Sequence, residues 1–224
     1  MGKLIAIDGL DGSGKGTQAD ILASYIRNET ALSVRELSFP VYGEDSSLFV
    51  RMYLSGKFGE SPDDTGPYAA SMFFAADRYV SYVTDWKRDI DSDNTIVLAN
   101  RYTTANAVHQ LAKLPRDEWD AFLDWLIDFE FVKLALPVPD LVIYLELKPE
   151  HSLSLVEKRS AETGRAMDIH ELDRGFMERS YEAAMYASER LGWHRIRCYD
   201  GDEIRTVDDI SAEIARIVTS SLAV

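Results

Sequence analysis

The chain has 224 residues, 46% of them hydrophobic, which is enough for a full core and fits one α/β domain. A formal charge of −14 leaves no basic face for nucleic acid or an anionic membrane, so any phosphate must be met by a few locally placed cations. Cys198 is the only cysteine, which excludes an intrachain disulfide and is compatible with a cytoplasmic setting; no signal peptide is expected at Met1 to Ile7, and no apolar run approaches a spanning helix.

Taken in order, residues 4–7 read as a buried strand, and a helix opens at Lys15 with Ala19, Leu22, Ala23 and Ile26 at helical spacing. Between them lies Gly9-x4-Gly14-Lys15, a glycine-rich turn that frees consecutive N–H groups to point inward, with the positive end of the helix behind them. This is a phosphate cradle, and Lys15 adds a cation for the outer phosphates. The common pattern places a metal-binding hydroxyl directly after the lysine, whereas here Gly16 stands there and the hydroxyl comes at Thr17.

Residues 33–39 alternate as a second strand stopped by Pro40, and residues 47–54 form a short helix. After a loop at 61–66, Pro67 opens a long helix to about residue 90, through Tyr68, Met72, Phe73, Ala76, Tyr79 and Tyr82. Residues 95–99 are a third strand, apolar throughout, with Asn100-Arg101-Tyr102 at its carboxyl end. Helices follow at 104–112 and 117–134, the second carrying Trp119, Phe122, Leu123, Leu126 and Phe129 toward the core. Residues 141–147 are the fourth strand, Pro149 opens a helix to about 159, and a polar stretch spans 160–170. A helix at 172–191, a strand at 195–199 and a helix at 207–218 complete the chain. Five strands alternating with helices give a doubly wound parallel sheet with helices on both faces, whose ligands bind outside the carboxyl ends of the strands.

The phosphate loop, Phe39-Pro40-x-Tyr42, Phe74-x3-Arg78 and Arg101-Tyr102, in this order and spacing, resemble the thymidylate kinase family, and the GKGT spelling of the loop is a variant found among nucleoside monophosphate kinases. The likeness covers nearly the whole chain. It implies a single domain over 1–224 with a phosphate loop at 9–17, an acceptor region at 39–110 and a small lid at 160–171. It implies transfer of the γ-phosphoryl group of ATP to dTMP with Mg2+, in a cytoplasmic homodimer.

On this likeness the ATP contacts are Gly9, Asp11, Gly12, Ser13, Gly14, Lys15, Gly16, Thr17 and Arg159, and the dTMP contacts are Asp11, Phe39, Pro40, Tyr42, Phe74, Arg78, Arg101, Asn106 and His109. Phe74 stacks on thymine and Arg78 reaches a base carbonyl, as side chains four apart on one helix face can. Arg101 holds the acceptor phosphate, Asp11 faces the sugar 3′-hydroxyl, and His109 stands near the 2′ face. The loop carries Gly12 and Ser13 where some relatives have a second basic residue, so Arg165 of the lid supplies that charge, with Arg159 and Lys158 behind it. The catalytic set is Lys15, Arg101, Arg165 and Asp11; the metal set is Thr17 with Asn100 through water. Asn100 replaces the usual aspartate, and Asp8, Asp168 or Glu171 can compensate.

Read without the likeness, Phe74 is also a plain core residue, Arg78, Arg101 and His109 are surface groups, Asp11 stabilises a turn, and the 160–171 stretch is a solvated loop. Two other functions fit as well: a kinase for a different monophosphate or a deoxynucleoside, and a nucleotide-binding regulator without turnover.

Overall fold

The computed structural model describes residues 2–164 and 166–222. In chain order its elements are β1 (Lys3–Gly9), α1 (Lys15–Glu29), β2 (Ser33–Ser38), α2 (Leu48–Leu54), α3 (Pro67–Ser81), α4 (Lys87–Ile90), β3 (Thr95–Asn100) and α5 (Thr103–His109). They continue with α6 (Trp119–Ile127), β4 (Leu141–Glu146), α7 (Pro149–Thr163), α8 (Ile169–Leu172), α9 (Arg174–Arg190), β5 (His194–Arg197), β6 (Tyr199–Asp200), β7 (Glu203–Ile204) and α10 (Val207–Leu222).

The main sheet has the order β2-β3-β1-β4-β5, with every pairing parallel. β1 is central because its apolar run serves two cores. Ile5 and Ile7 join Leu22 and Ile26 of α1 and Ile214 and Val218 of α10 on one face. Leu4 and Ala6 join Trp86, Ile90 and Tyr102 on the other. A strand covered on both faces must be apolar at every position, which is why the sequence there does not alternate. The register sets Ile7 opposite Asn100, and the Arg101 amide donates to the Ile7 carbonyl at 2.9 Å. The phosphate loop and the β3–α5 turn therefore meet at one sheet edge, where the chain crosses from one side of β1 to the other.

Several expected boundaries move for identifiable reasons. The helix beginning at Pro67 is continuous to Ile90, but residues Tyr82–Trp86 form a π-helical turn. The helix expected over 117–134 is α6 followed by a second π-helical turn, Asp128–Lys133. Trp119, Phe122, Leu123 and Leu126 are buried as expected; Phe129 is only half-buried, stacked on Trp125, and Glu130 takes the fully buried place. The helix from Pro149 runs on to Thr163, so it takes in the first residues of the expected loop and stops at Gly164, whose φ of 70° ends it in the left-handed region. The fifth strand is shorter than expected, because Tyr199–Asp200 pairs instead with Glu203–Ile204 in a separate antiparallel ribbon. Among the described residues, no helix is long and apolar enough to cross a membrane.

Candidate active site

The phosphate loop connects β1 to α1, with Gly12 and Gly14 at φ of 82° and 84°. Gly14 is the residue before the first turn of α1 and no side chain caps that turn, so the amides of the helix start are left for a ligand in the loop. Gly12 has a second constraint: a Cβ there would lie 2.8 Å from the Ser152 carbonyl, whereas a Cβ on Gly14 meets nothing within 4 Å. Gly14→Ala should therefore cost about 1 kcal/mol of backbone strain. Gly12→Ala should cost about 2–3 kcal/mol because a backbone carbonyl must also move. Urea unfolding of the two variants checks the order; equal losses would show that the Ser152 contact contributes nothing.

Lys15 is buried and folds back over the loop, donating to the carbonyls of Gly9 at 2.9 Å and Leu10 at 2.8 Å. Burial and the neighbouring Arg101 charge bring its pKa down to about 8. Ser13 is buried with its hydroxyl unpartnered, and neither it nor Gly9 lines the cleft described below; both shape the loop from behind.

Arg101 sits just beyond β3 with φ of 67°, a left-handed conformation that a non-glycine residue adopts at a cost of about 1–3 kcal/mol. Its guanidinium ties the loop to α5: Nη2 is in a short ion pair with Asp11, and Nη1 donates to Nε2 of His109 at 3.0 Å. Burial alone would raise the Asp11 carboxyl, but Arg101 and Lys15 outweigh it and hold the group well below the usual carboxylate range. Burial and the Arg101 charge push His109 down to about 3, so its ring is neutral. Because Arg101 can only donate, Nε2 is the acceptor and the hydrogen resides on Nδ1, which is buried without a partner.

The acceptor region is assembled from three places. Asp77 of α3 accepts from the Val41 amide at 2.9 Å and the Ser46 hydroxyl at 2.6 Å, which fixes the loop carrying Phe39, Pro40 and Tyr42 against the helix. The Phe39–Pro40 peptide is cis, Phe39 is buried beside Tyr102, and Tyr42 is exposed. One turn along α3 from half-buried Phe74, Arg78 is 1% exposed and paired with Glu130, which is fully buried. Asn106 donates to the same Glu130 at 2.9 Å and to the Ser71 carbonyl at 3.1 Å, leaving its Oδ1 buried without a partner. With both amide hydrogens committed, Asn106 can make the contact expected of it only by accepting.

The stretch expected to form a lid is tethered at its ends within the described residues. Arg159 of α7 pairs with Glu171, and Asp168 caps α8 by accepting from the amides of His170 at 2.9 Å and Glu171 at 3.1 Å. Burial, with the charges of Asp11 and Glu171, lifts the Asp168 carboxyl to about 7. His170 bonds Tyr53 of α2 at 2.7 Å, and Lys113 donates to the same hydroxyl at 2.8 Å. Arg165, expected to supply the lid's cation, lies outside the described residues.

Metal-binding chemistry here is modest. No cluster of three or more His, Cys, Asp or Glu side chains suited to a metal occurs among the described residues. Asp8 is occupied, accepting from the Gly9 amide at 2.8 Å and from Thr104 at 2.6 Å. The buried, unpartnered Oδ1 of Asn100 and the exposed hydroxyl of Thr17 are neutral oxygens at the cleft. Such a pair fits Mg2+, which keeps most of its waters and takes much of its coordination from phosphate.

These parts line one open cleft of about 440 Å³. It brings together Asp11, Gly12, Gly14, Lys15, Gly16 and Thr17 of the loop and Phe39, Pro40, Tyr42, Phe74 and Arg78 of the acceptor region. Asn100, Arg101, Asn106, His109 and Arg159 line it too, whereas Gly9 and Ser13 of the expected set do not. Sequence reasoning missed Glu130, which carried no signal beyond an acid in an apolar helix. It also missed Gln110, which lines the cleft with both amide atoms buried and unpartnered, and Leu54, Leu155 and His170.

The chain's likeness to known proteins agrees with this geometry. The family model for thymidylate kinase matches residues 7–196. Thymidylate kinase of Mycobacterium tuberculosis (strain H37Rv) is 32% identical over 198 residues, covering 85% of this chain and 87% of that protein. Thymidylate kinase of Chlorobaculum tepidum is 30% identical over 227 residues, covering 98% and 96%. In fold, the chain matches a solved thymidylate kinase from Candida albicans with a TM-score of 0.67 at 21% identity, over 99% of this chain and 92% of that one. With a match from the end of β1 to β5 and relatives of this identity aligned along most of both sequences, the chain belongs to the thymidylate kinase family.

Proposed function

We propose that this chain transfers the γ-phosphoryl group of ATP to the 5′-phosphate of dTMP, giving ADP and dTDP. The observation that carries this reading is the single cleft, in which Lys15 and the loop amides share one space with Phe74, Arg78 and Asn106 while Arg101 is bonded to both sides. A phosphate oxygen of dTMP attacks the γ-phosphorus, and the bond to the β–γ bridging oxygen breaks. Such a reaction needs alignment and charge rather than covalent chemistry from the protein. The cleft-lining part of the loop, Asp11, Gly12 and Gly14 to Thr17, cradles the donor, and Lys15 follows the charge on the transferring group; Gly9 and Ser13, whose amides are bonded to Asp8 and Leu10, hold the loop in shape. Arg101 exchanges Asp11 for the acceptor phosphate, which it holds with a two-point guanidinium grip. Asp11, freed from Arg101, faces the sugar's 3′-hydroxyl, and neutral His109 faces its 2′ side. Arg165 and Arg159 bring further positive charge from the lid. Thr17 and Asn100 are the residues that would hold Mg2+, which would neutralise charge on the donor phosphates when bound.

The protein works in the cytoplasm as a homodimer. The exposed face of α3 and its continuation, with Met72, Tyr79 and Val83 between 40% and 51% accessible at helical spacing, supports pairing with a second copy. Incubation with ATP, Mg2+ and a panel of dTMP, dUMP, dCMP, UMP and thymidine, with ADP measured, tests the reaction, and sedimentation of the same sample tests the dimer. A clear dTMP optimum and twice the monomer mass are expected. ATP binding without ADP formation on any acceptor would overturn the enzymatic reading in favour of a nucleotide-binding regulator, and a preference for another acceptor would overturn the dTMP assignment.

A further inference from the structure

Glu130 does not line the cleft, yet its carboxylate accepts from two residues that do, Arg78 and Asn106, and from Thr103 beside them. Arg78 gives Nε at 2.8 Å and also Nη2, Asn106 gives Nδ2 at 2.9 Å, and Thr103 gives its hydroxyl at 2.7 Å. Four donors fill the acceptor capacity of a carboxylate. For Arg78 this spends Nε and one hydrogen of Nη2, so Nη1 and the second hydrogen of Nη2 are left for a ligand.

The consequence for Asn106 is stricter. Its second amide hydrogen goes to the main-chain carbonyl of Ser71 at 3.1 Å. A carboxylate and a carbonyl can only accept, so the amide has one allowed orientation and turning it over would set oxygen against oxygen. The edge presented by these two side chains is then a donor, Arg78, beside an acceptor, the unpartnered Oδ1 of Asn106. That edge complements a ring with a carbonyl next to an N–H, as in thymine, and opposes cytosine, which offers an amino group next to a bare nitrogen.

We infer that Glu130 is a positioning residue that sets the hydrogen-bond polarity of the base-reading edge, and through it the preference for a thymine-like ring over an aminopyrimidine. This rests on the reading of dTMP as the acceptor. Glu130 never touches the ligand; it acts by denying Asn106 and Arg78 their other orientations. A buried polar edge of fixed sign discriminates strongly, because the wrong ring leaves its groups unpaired.

The test compares the full chain with its Glu130→Gln variant, using ATP, Mg2+ and either dTMP or dCMP. The variant's amide places an N–H2 group among donors, so the edge loses its fixed sign. The ratio of kcat/KM for dTMP over dCMP is expected to fall by about thirtyfold or more, mostly through a raised KM for dTMP, with the KM for ATP unchanged. A folded variant with an unchanged ratio overturns the inference alone, whereas a wild-type protein that does not phosphorylate dTMP removes the acceptor reading and this inference with it. If the variant does not fold, wild-type protein labelled with 15N-asparagine answers the question. The Asn106 side-chain NH2 signals should keep slow solvent exchange and move little when dTMP is added, and a change to fast exchange overturns the inference.

Discussion

Lys15→Met lowers turnover by about a thousandfold, the loss expected when a preorganised cation is removed from a transferring phosphoryl group. The KM for dTMP moves far less, because the proposed function puts the ring at Phe74 and Arg78, away from Lys15. The wild-type pH profile gives an independent check. With its pKa at about 8, the Lys15 ammonium is present below that pH and lost above it, so kcat/KM for ATP declines as pH rises through 8. Bound phosphates favour the ammonium, so kcat itself persists to higher pH. The same shift acts on folding with a definite sign. The folded lysine loses its proton near 8 and the unfolded one at 10.5, so between these values the unfolded chain holds more protons and the ligand-free protein gains stability as pH rises. Lys15→Met removes its share of that slope and leaves the share of Lys113, whose pKa burial brings down to about 7. A variant that retained a tenth or more of wild-type turnover would remove Lys15 from the transferring group.

Arg78→Leu destabilises the protein by about 3–5 kcal/mol, because it leaves the fully buried Glu130 carboxylate without its countercharge. Thr103 and Asn106 still donate to it, but neither carries charge. The loss is read from urea unfolding of the variant against the wild type. Adding Glu130→Leu to the same chain should recover a large part of it, since an apolar pair can replace a buried ion pair at little cost. A single variant that lost less than about 1 kcal/mol would mean that Glu130 finds water or another partner there.

What the sequence made legible was local. The uninterrupted apolar run of β1, the glycine spacing of the loop and the four-residue offset of Phe74 and Arg78 are written in neighbouring residues, and all three keep their expected places in the fold. What stayed hidden is held by groups far apart along the chain. Glu130 meets Arg78 across 52 residues, and Tyr53 meets His170 across 117. In the sequence DFEFVK the glutamate reads as the outward side of an amphipathic helix, the ordinary place for a charge. Its burial depends on a partner that periodicity does not reveal. The π-helical turns at Tyr82–Trp86 and Asp128–Lys133 were hidden for a related reason: their residues are ordinary helix formers, and tertiary packing decides the wider turn. For the residues expected to face phosphate, the spacing was enough to point to one cleft, but not to reveal that Arg101 is already engaged.

That engagement sets terms for anything entering the cleft. With Asp11 against Arg101, the middle of the site is self-neutralised before a ligand arrives, so an incoming phosphate must evict a carboxylate and does not simply dock on a bare cation. Admission becomes an exchange of one anion for another, in which the rest of the molecule has to supply the surplus. A lone inorganic phosphate brings no such surplus, and a nucleoside without its phosphate has nothing to exchange; a nucleotide that fits the ring site has both.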